Sequence, residues 1–244
     1  VTKQAAAEIY VGTDYKETSI SSNVYKIIRN CQLQGGLAIA CGDAGIGKTQ
    51  ACRQYYREHG TNCIYITVNP CIKSSKSVLE LIGSKLNVSS GSVSRLWLEI
   101  SSKLSDGMVI IVDEAQHLTR NAIDTLRSLC DCFDEKGQTL GICFVGNETT
   151  VSRLGGKQKA EFAQIRNRTK NTRFYSVKQI KKSDIEMLFP DIREDTAAVE
   201  FLLCIAQSPQ AIRGAVNLYS NALDNGNVTA KGLSAIAKYM DMAV

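Results

Sequence analysis

The sequence predicts an α/β fold: a parallel five-stranded sheet sandwiched by helices, followed by a small C-terminal helical lid domain. Three observations predict it. Short runs rich in β-formers alternate with stretches of helical period. One of those runs, Met108 to Val112, is wholly apolar, as expected of a strand at the centre of a parallel sheet. After about Lys178 the strands stop and only helical patterns remain.

In chain order, residues 1–22 show no strong periodicity and read as an N-terminal arm. Val24, Ile27, Ile28 and Cys31 set a helical spacing over Asn23 to Leu33. Leu37 to Cys41 is a short apolar run that ends in a glycine-rich loop, and a helix is expected from Lys48 to about Glu58. Cys63 to Val68 is a strand closed by Asn69-Pro70. Ser75 to Leu86 and Ser92 to Leu104 read as amphipathic helices. After the Met108 strand come a helix over Arg120 to Phe133, a strand over Leu140 to Val145 and another over Thr172 to Val177. Glu194 to Ala206, Pro209 to Leu223 and Thr229 to Met240 are helical. The expected division is an arm (1–22), an ATPase-like core (23–178) and a lid (179–244).

Composition narrows the class. With 244 residues, 44% hydrophobic and 22% charged, the chain is ordinary globular protein. Collagen, a disordered chain and a low-complexity array are excluded, and no apolar run approaches the roughly 20 residues that span a bilayer. Nine cysteines, an odd number, are scattered through apolar segments, and Cys130 and Cys132 lack the partners of a zinc set. They read as buried free thiols packing as small hydrophobes, which together with the lack of a visible signal peptide points to the reducing cytoplasm.

Chemistry enters at the glycine-rich loop. Gly42-Asp43-Ala44-Gly45-Ile46-Gly47-Lys48-Thr49 is a complete Walker A sequence, set between an apolar strand and a helix. Glycines let backbone N–H groups turn towards phosphate oxygens, and the helix N-terminus adds positive potential. Lys48 is expected on the β- and γ-phosphates of ATP and Thr49 on Mg²⁺, with the binding set running on to Gln50. Asp113 lies 65 residues after Lys48, at the end of the apolar strand, and reads with Glu114 as a Walker B pair. Asp113 is expected to hold Mg²⁺ and Glu114 to polarise an attacking water, which makes hydrolysis the expected reaction. Asn147, at the end of the fourth strand, is a candidate for positioning that water. Arg213 opens a helix in the lid, from which it is a candidate to reach the phosphates.

Between Thr150 and Lys182 ten basic residues face one carboxylate, Glu161, so this segment carries +9 of a chain whose total is +5. Such a run is a solvated face, a polyanion-binding surface, or the source of an arginine that reaches a neighbour's nucleotide. Trp97, with Leu96 and Ile100, reads as packing. His117 reads as a loop or interface residue, His59 has no partner pattern, and Asp184 and Glu186 near Lys181 and Lys182 read as a solvated ion-pair cluster.

The later phrases narrow the family. Ile111-Val-Asp113-Glu114-Ala-Gln-His117-Leu118, Gly155-Gly156 followed by Glu161-Phe-Ala-Gln-Ile165 and Asn167-Arg168, Lys181-Lys182-Ser-Asp184, and Ile205-Ala-Gln-Ser-Pro209-Gln-Ala-Ile-Arg213 together resemble the AAA+ ATPases of the phage Mu B and Tn7-type target-selection family. The resemblance runs over nearly the whole chain. It implies Arg168 as the arginine finger (Arg166 the lesser candidate), Asn147 as sensor 1 and Arg213 as sensor 2. It implies an ATP-dependent helical filament, or homo-oligomer, on duplex DNA bound through the phosphate backbone. That filament would present target DNA to a DDE transposase and come apart on hydrolysis. By the same resemblance the loops after the second and third strands line the filament bore, which makes Lys73, Lys76, Arg120 and Asn121 the candidate DNA contacts. One departure stands out: the N-terminal helix–turn–helix region carried by the Mu member does not fit in the arm before Asn23. A helicase loader and a DNA-independent nucleotide switch are the alternative readings.

Overall fold

The computed structural model describes residues 15–150 and 169–242. Its sheet has five parallel strands: β1 (Gly36–Gly42), β2 (Cys63–Thr67), β3 (Met108–Asp113), β4 (Leu140–Gly146) and β5 (Thr169–Tyr175). They lie in the order β2-β3-β4-β1-β5. The helices between them are α1 (Ser19–Gln34), α2 (Lys48–His59), α3 (Ser75–Lys85), α4 (Val93–Lys103) and α5 (Arg120–Asp134). After β5 come α6 (Lys182–Leu188), α7 (Thr196–Ala206), α8 (Ala211–Asp224) and α9 (Ala230–Tyr239).

Alternation along the strands sorts the core into two layers. Ala38, Ala40, Val109, Ile111, Cys143 and Val145 face α1, α2 and the C-terminal helices. Leu37, Ile39, Ile110, Val112, Ile142 and Phe144 point the other way, towards α3, α4 and α5. Because both faces are covered, the central strands read as unbroken apolar runs. Each such Ile, Leu or Phe contributes about 1.5–3 kcal/mol by leaving water. The alanines of β1 are small because α1 crosses β1 and β4 closely. A Cβ on Gly141 would come 2.5 Å from the carbonyl oxygen of Cys31 in α1.

Several elements depart from the sequence reading. The first helix begins at Ser19, not Asn23, because Thr18 caps it: its hydroxyl accepts from the Ser21 backbone N–H at 3.3 Å. β5 starts at Thr169, three residues early, with exposed polar residues at an edge that carries no apolar alternation. The helix α6 was missed for the same want of a stripe. Asp184 is not in a solvated ion cluster: it is 2% exposed and holds two elements together. Its Oδ1 accepts from the Ser19 N–H at 2.6 Å and the Ser19 hydroxyl at 2.7 Å, and its Oδ2 from the Lys181 N–H at 2.9 Å.

All nine cysteines are free thiols. Six are buried as expected, but Cys71 and Cys204 are exposed and Cys132 is half-buried, so packing accounts for only part of the set. Trp97 packs against the α3–α5 layer and donates its indole N–H to Ser128 at 2.9 Å. His59 does have partners: its ring lies 4.4 Å from that of Tyr55, and its Nε2 is 3.0 Å from the Tyr25 hydroxyl. Among the described residues no helix is long and apolar enough to cross a membrane.

Candidate nucleotide site

β1 ends at Gly42, and the chain turns through residues 43–47 into α2. A Cβ at Gly42 would lie 1.9 Å from the carbonyl oxygen of Tyr175, so only glycine lets the loop leave β1 pressed against the end of β5. Asp43 then fastens the loop to that strand end. Its N–H donates to the Tyr175 carbonyl at 3.0 Å, and its Oδ2 accepts from the Val177 N–H at 2.8 Å. Gly47 stands at the helix start with φ 96°, and no side chain caps it. A 12-residue helix that opens on a glycine loop with uncapped N–H groups has the chemistry of a phosphate cradle.

Lys48 sits in the first turn of α2 and is 9% exposed. Its ammonium donates to the carbonyl oxygens of Gly42, at 2.9 Å, and Asp43. Burial pulls its pKa below the usual lysine range, while Asp113, Glu114 and Asp43 push it back up. Asp113 ends β3 at the same edge and is 2% exposed. Burial raises its pKa, and hydrogen bonds from Tyr65 and Thr49 oppose the rise. The Tyr65 hydroxyl donates to Asp113 Oδ2 at 2.9 Å, and the Glu114 N–H donates to Oδ1 at 3.0 Å. Lys48, Thr49, Asp113 and Glu114 therefore converge from β3 and the start of α2, as the two motifs require. An ammonium beside two carboxylates, a hydroxyl and free helix N–H groups fits a nucleotide triphosphate with a divalent cation.

Glu114 follows β3 in a left-handed conformation, φ 58°, which a non-glycine residue adopts at some cost. Its carboxylate accepts from the side-chain amide of Gln116. Gln116 Oε1 in turn accepts from the backbone N–H of Asn147 at 3.2 Å. The Asn147 side chain itself turns away into a local loop: its Oδ1 accepts from the N–H of Thr149 at 3.0 Å and from the Thr149 hydroxyl at 2.7 Å.

Arg213 lies in the first turn of α8, which docks on the loop: its N–H donates to the Gly45 carbonyl at 3.2 Å. Ala44 and Gln50 are exposed at the loop and the start of α2, while Ile46 is fully buried beneath the loop. Arg166 and Arg168 lie outside the described residues. Lys73, Lys76, Arg120 and Asn121 are exposed on the loops and helix starts after β2 and β3. Those two loops are joined by a hydrogen bond from the Thr119 N–H to the Lys73 carbonyl at 2.9 Å. Lys76 and Arg120 each have a carboxylate one helical turn on, Glu80 and Asp124, both at 3.9 Å.

Sequence reasoning passed over Tyr65 and Gln116. Tyr65 reads only as a strand aromatic until the β2–β3 register, with Tyr65 opposite Ile111 and Thr67 opposite Asp113, brings it beside Asp113. Gln116 carried a weak signal, a polar residue two positions past Glu114 in a segment that turns out to be buried.

The match to known proteins follows this geometry. The model of the AAA domain matches residues 31–154, which carry both motifs and β1 through β4. The chain belongs to the AAA domain family. As a member it is a P-loop ATPase. It is similar to the ATP-dependent target DNA activator B of Escherichia phage Mu, 29% identical over 236 residues that cover 93% of this chain and 71% of that protein. It is also similar to the Mu-like prophage FluMu DNA transposition protein B of Haemophilus influenzae, 28% identical over 225 residues, 88% of this chain and 75% of that protein. Among solved structures, the Aeropyrum pernix ORC2 protein superposes with a TM-score of 0.63 at 14% identity. That superposition covers 89% of this chain and 66% of that one, and shows the shared fold.

Proposed function

We propose that this AAA ATPase binds duplex DNA without sequence preference, oligomerises on it when ATP is bound, and delivers it as target to a DDE transposase, with hydrolysis driving disassembly. The observation that carries this reading is the extent of the similarity to the Mu-type activator, which runs over 93% of the chain, through the nucleotide site and on into the helices after β5.

The chemistry follows from the residues. Lys48 and the N–H groups of the loop hold the triphosphate, and Thr49 and Asp113 are the residues that would hold Mg²⁺. Such an ion supplies charge neutralisation between the phosphates. Glu114 orients and polarises the attacking water. Asn147, at the end of β4, is the sensor of the γ-phosphate by its place in the fold, and the docking of α8 on Gly45 puts Arg213 at the loop. Arg168 completes the site from a neighbouring subunit, so hydrolysis needs assembly. Lys73, Lys76, Arg120 and Asn121 meet DNA phosphates, supported by the hydrogen bond that holds their two loops at one end of the sheet. In this reading the core runs over residues 23–178, the lid over 179–244, and the protein works in the cytoplasm.

Electron microscopy of the protein with duplex DNA in ATP, a slowly hydrolysed analogue and ADP tests the proposal. Filaments on DNA with ATP or the analogue, lost in ADP, are the expected result. Closed rings that load beside DNA point to a helicase loader, and no DNA complex in any nucleotide points to a DNA-independent switch; either overturns it.

A further inference from the structure

We infer that Gln116 is a positioning residue for hydrolysis: it holds the Glu114 carboxylate through its amide N–H and ties that carboxylate to the end of β4 through its amide oxygen. The inference rests on the reading of Glu114 as the residue that polarises water.

The chemistry of the two neighbours leaves little choice for the residue between them. An ionised carboxylate only accepts hydrogen bonds, and a backbone N–H only donates. A side chain that satisfies both needs a donor and an acceptor, and the Gln116 amide supplies them on two separate atoms at the end of a side chain long enough to reach both neighbours. The Asn147 N–H fixes the orientation, since Oε1 must face it at 3.2 Å. Nε2 is then the end that donates to Glu114. The bridge is built in: Gln116 is 9% exposed and sits where β4 leaves room for it. A Cβ on Gly146 would lie 2.4 Å from Gln116 Oε1 and 2.3 Å from Thr150 Oγ1, so the glycine before Asn147 leaves room for both side chains.

Among the described residues the bridge is the side-chain hydrogen bond that holds the Glu114 carboxylate. Glu114 is exposed and follows a left-handed backbone turn, so its side chain has open space around it. The amide limits that freedom. Asn147 lies at the strand end expected to sense the γ-phosphate, and its backbone N–H is the far anchor. A shift of the β4 end therefore moves the group that holds the carboxylate.

The test uses the full chain with DNA and ATP, comparing single-turnover hydrolysis with directly measured ATP binding. Gln116→Met keeps the volume and removes both bonds. Gln116→Glu keeps an acceptor for the Asn147 N–H but loses the donor to Glu114. Both variants are expected to slow hydrolysis by about 10- to 100-fold, the scale of a group displaced by about an ångström. ATP binding should stay within about threefold, since the amide bonds to the Glu114 carboxylate and to the Asn147 backbone and not to the Lys48, Thr49 and Asp113 side chains that hold the triphosphate and its cation. In a Glu114→Gln background Gln116→Met should cost nothing further, because residues acting as a unit are not additive. Hydrolysis near the native rate in Gln116→Glu overturns the inference, as does equal loss of binding and turnover. If Gln116→Met fails to fold, Gln116→Glu decides alone. A Glu114→Gln protein that still hydrolyses ATP normally sinks the reading of Glu114 itself. Loss there with normal rates in both Gln116 variants sinks only the positioning role.

Discussion

The backbone N–H of Arg213 donates to the carbonyl of Gly45, so the helix α8 begins on the phosphate-binding loop itself. Gly45 has φ 74°, and a Cβ there would stand 3.2 Å from the Cβ atoms of both Ala211 and Arg213. The loop and the start of α8 thus meet closely at Gly45, where no side chain stands between them. Gly45→Ala is expected to wedge α8 away and to cost about 1–2 kcal/mol in the left-handed backbone. Equilibrium binding of a fluorescent ATP analogue should weaken by at least about tenfold, the equivalent of 1.4 kcal/mol, while circular dichroism stays native. Native affinity in Gly45→Ala means the contact is incidental to binding.

Tyr65 offers a second check, at the carboxylate end of the site. Its hydroxyl donates to Asp113 Oδ2, and burial with the nearby Asp113 charge pushes its pKa up to about 12. It therefore remains a donor throughout the neutral range, competing for one carboxylate oxygen while fixing the direction of the other. Tyr65→Phe removes the donor and keeps the ring, which packs 6.1 Å from that of Tyr56. A titration of ATPase rate against Mg²⁺ should show the half-maximal concentration shifted by several-fold, in keeping with loss of a partner that orients a ligand. Nucleotide binding measured without metal should not change. A shift in both would place Tyr65 in the nucleotide contact and not behind Asp113.

Much of this architecture is legible in the sequence because it is written in period and motif. The apolar run Met108 to Val112 is an interior strand beside the central β4, and it is buried on both faces. Gly42 to Thr49 sits between a strand and a helix, and so it folds. What escaped the sequence lacks either signal. β5 is an edge strand with one buried residue, Tyr175, so it has no pattern to read. Asp184 looks like one more surface charge beside two lysines, and only the fold brings Ser19 to it across 165 residues. Tyr65 and Gln116 acquire meaning from strand register and from a bridge between loops, both of which are set by tertiary contacts.

The Asp184 bridge leads to a stability prediction. A carboxylate buried to 2% exposure and accepting from two backbone N–H groups and one hydroxyl joins the start of α1 to the start of α6. Hydrogen bonds to a charged acceptor are worth about 1.5–3 kcal/mol each, and orphaned donors add to the cost of losing it. Asp184→Ala should destabilise the fold by about 3–5 kcal/mol. Urea denaturation should show this as a lower midpoint with unchanged slope, because the surface exposed on unfolding is the same. A change below about 1 kcal/mol would show that Ser19 and Lys181 find water in its place.

The trans-acting arginine is the prediction that joins assembly to chemistry. Lys48, Asp113 and Glu114 converge in one subunit, with Lys48 buried at the loop and Arg213 in the first turn of the helix docked on it. Phosphoryl transfer spreads charge over the γ-phosphate, and a second cation is worth about 10³–10⁵ in rate. Arg168 of a neighbouring subunit is the proposed source. Arg168→Ala protein should bind ATP normally and hydrolyse it at least about 100-fold more slowly. Lys48→Ala protein should fail to bind ATP and so be inactive for a different reason. Mixed together on DNA, the two should recover part of the activity, because one of the two mixed orders pairs an intact Lys48 from one subunit with an intact Arg168 from the other. Recovery that scales with the product of the two fractions places the site between subunits. A mixture as dead as its parts, under conditions where both are shown to co-assemble, places Arg168 in its own subunit's structure instead.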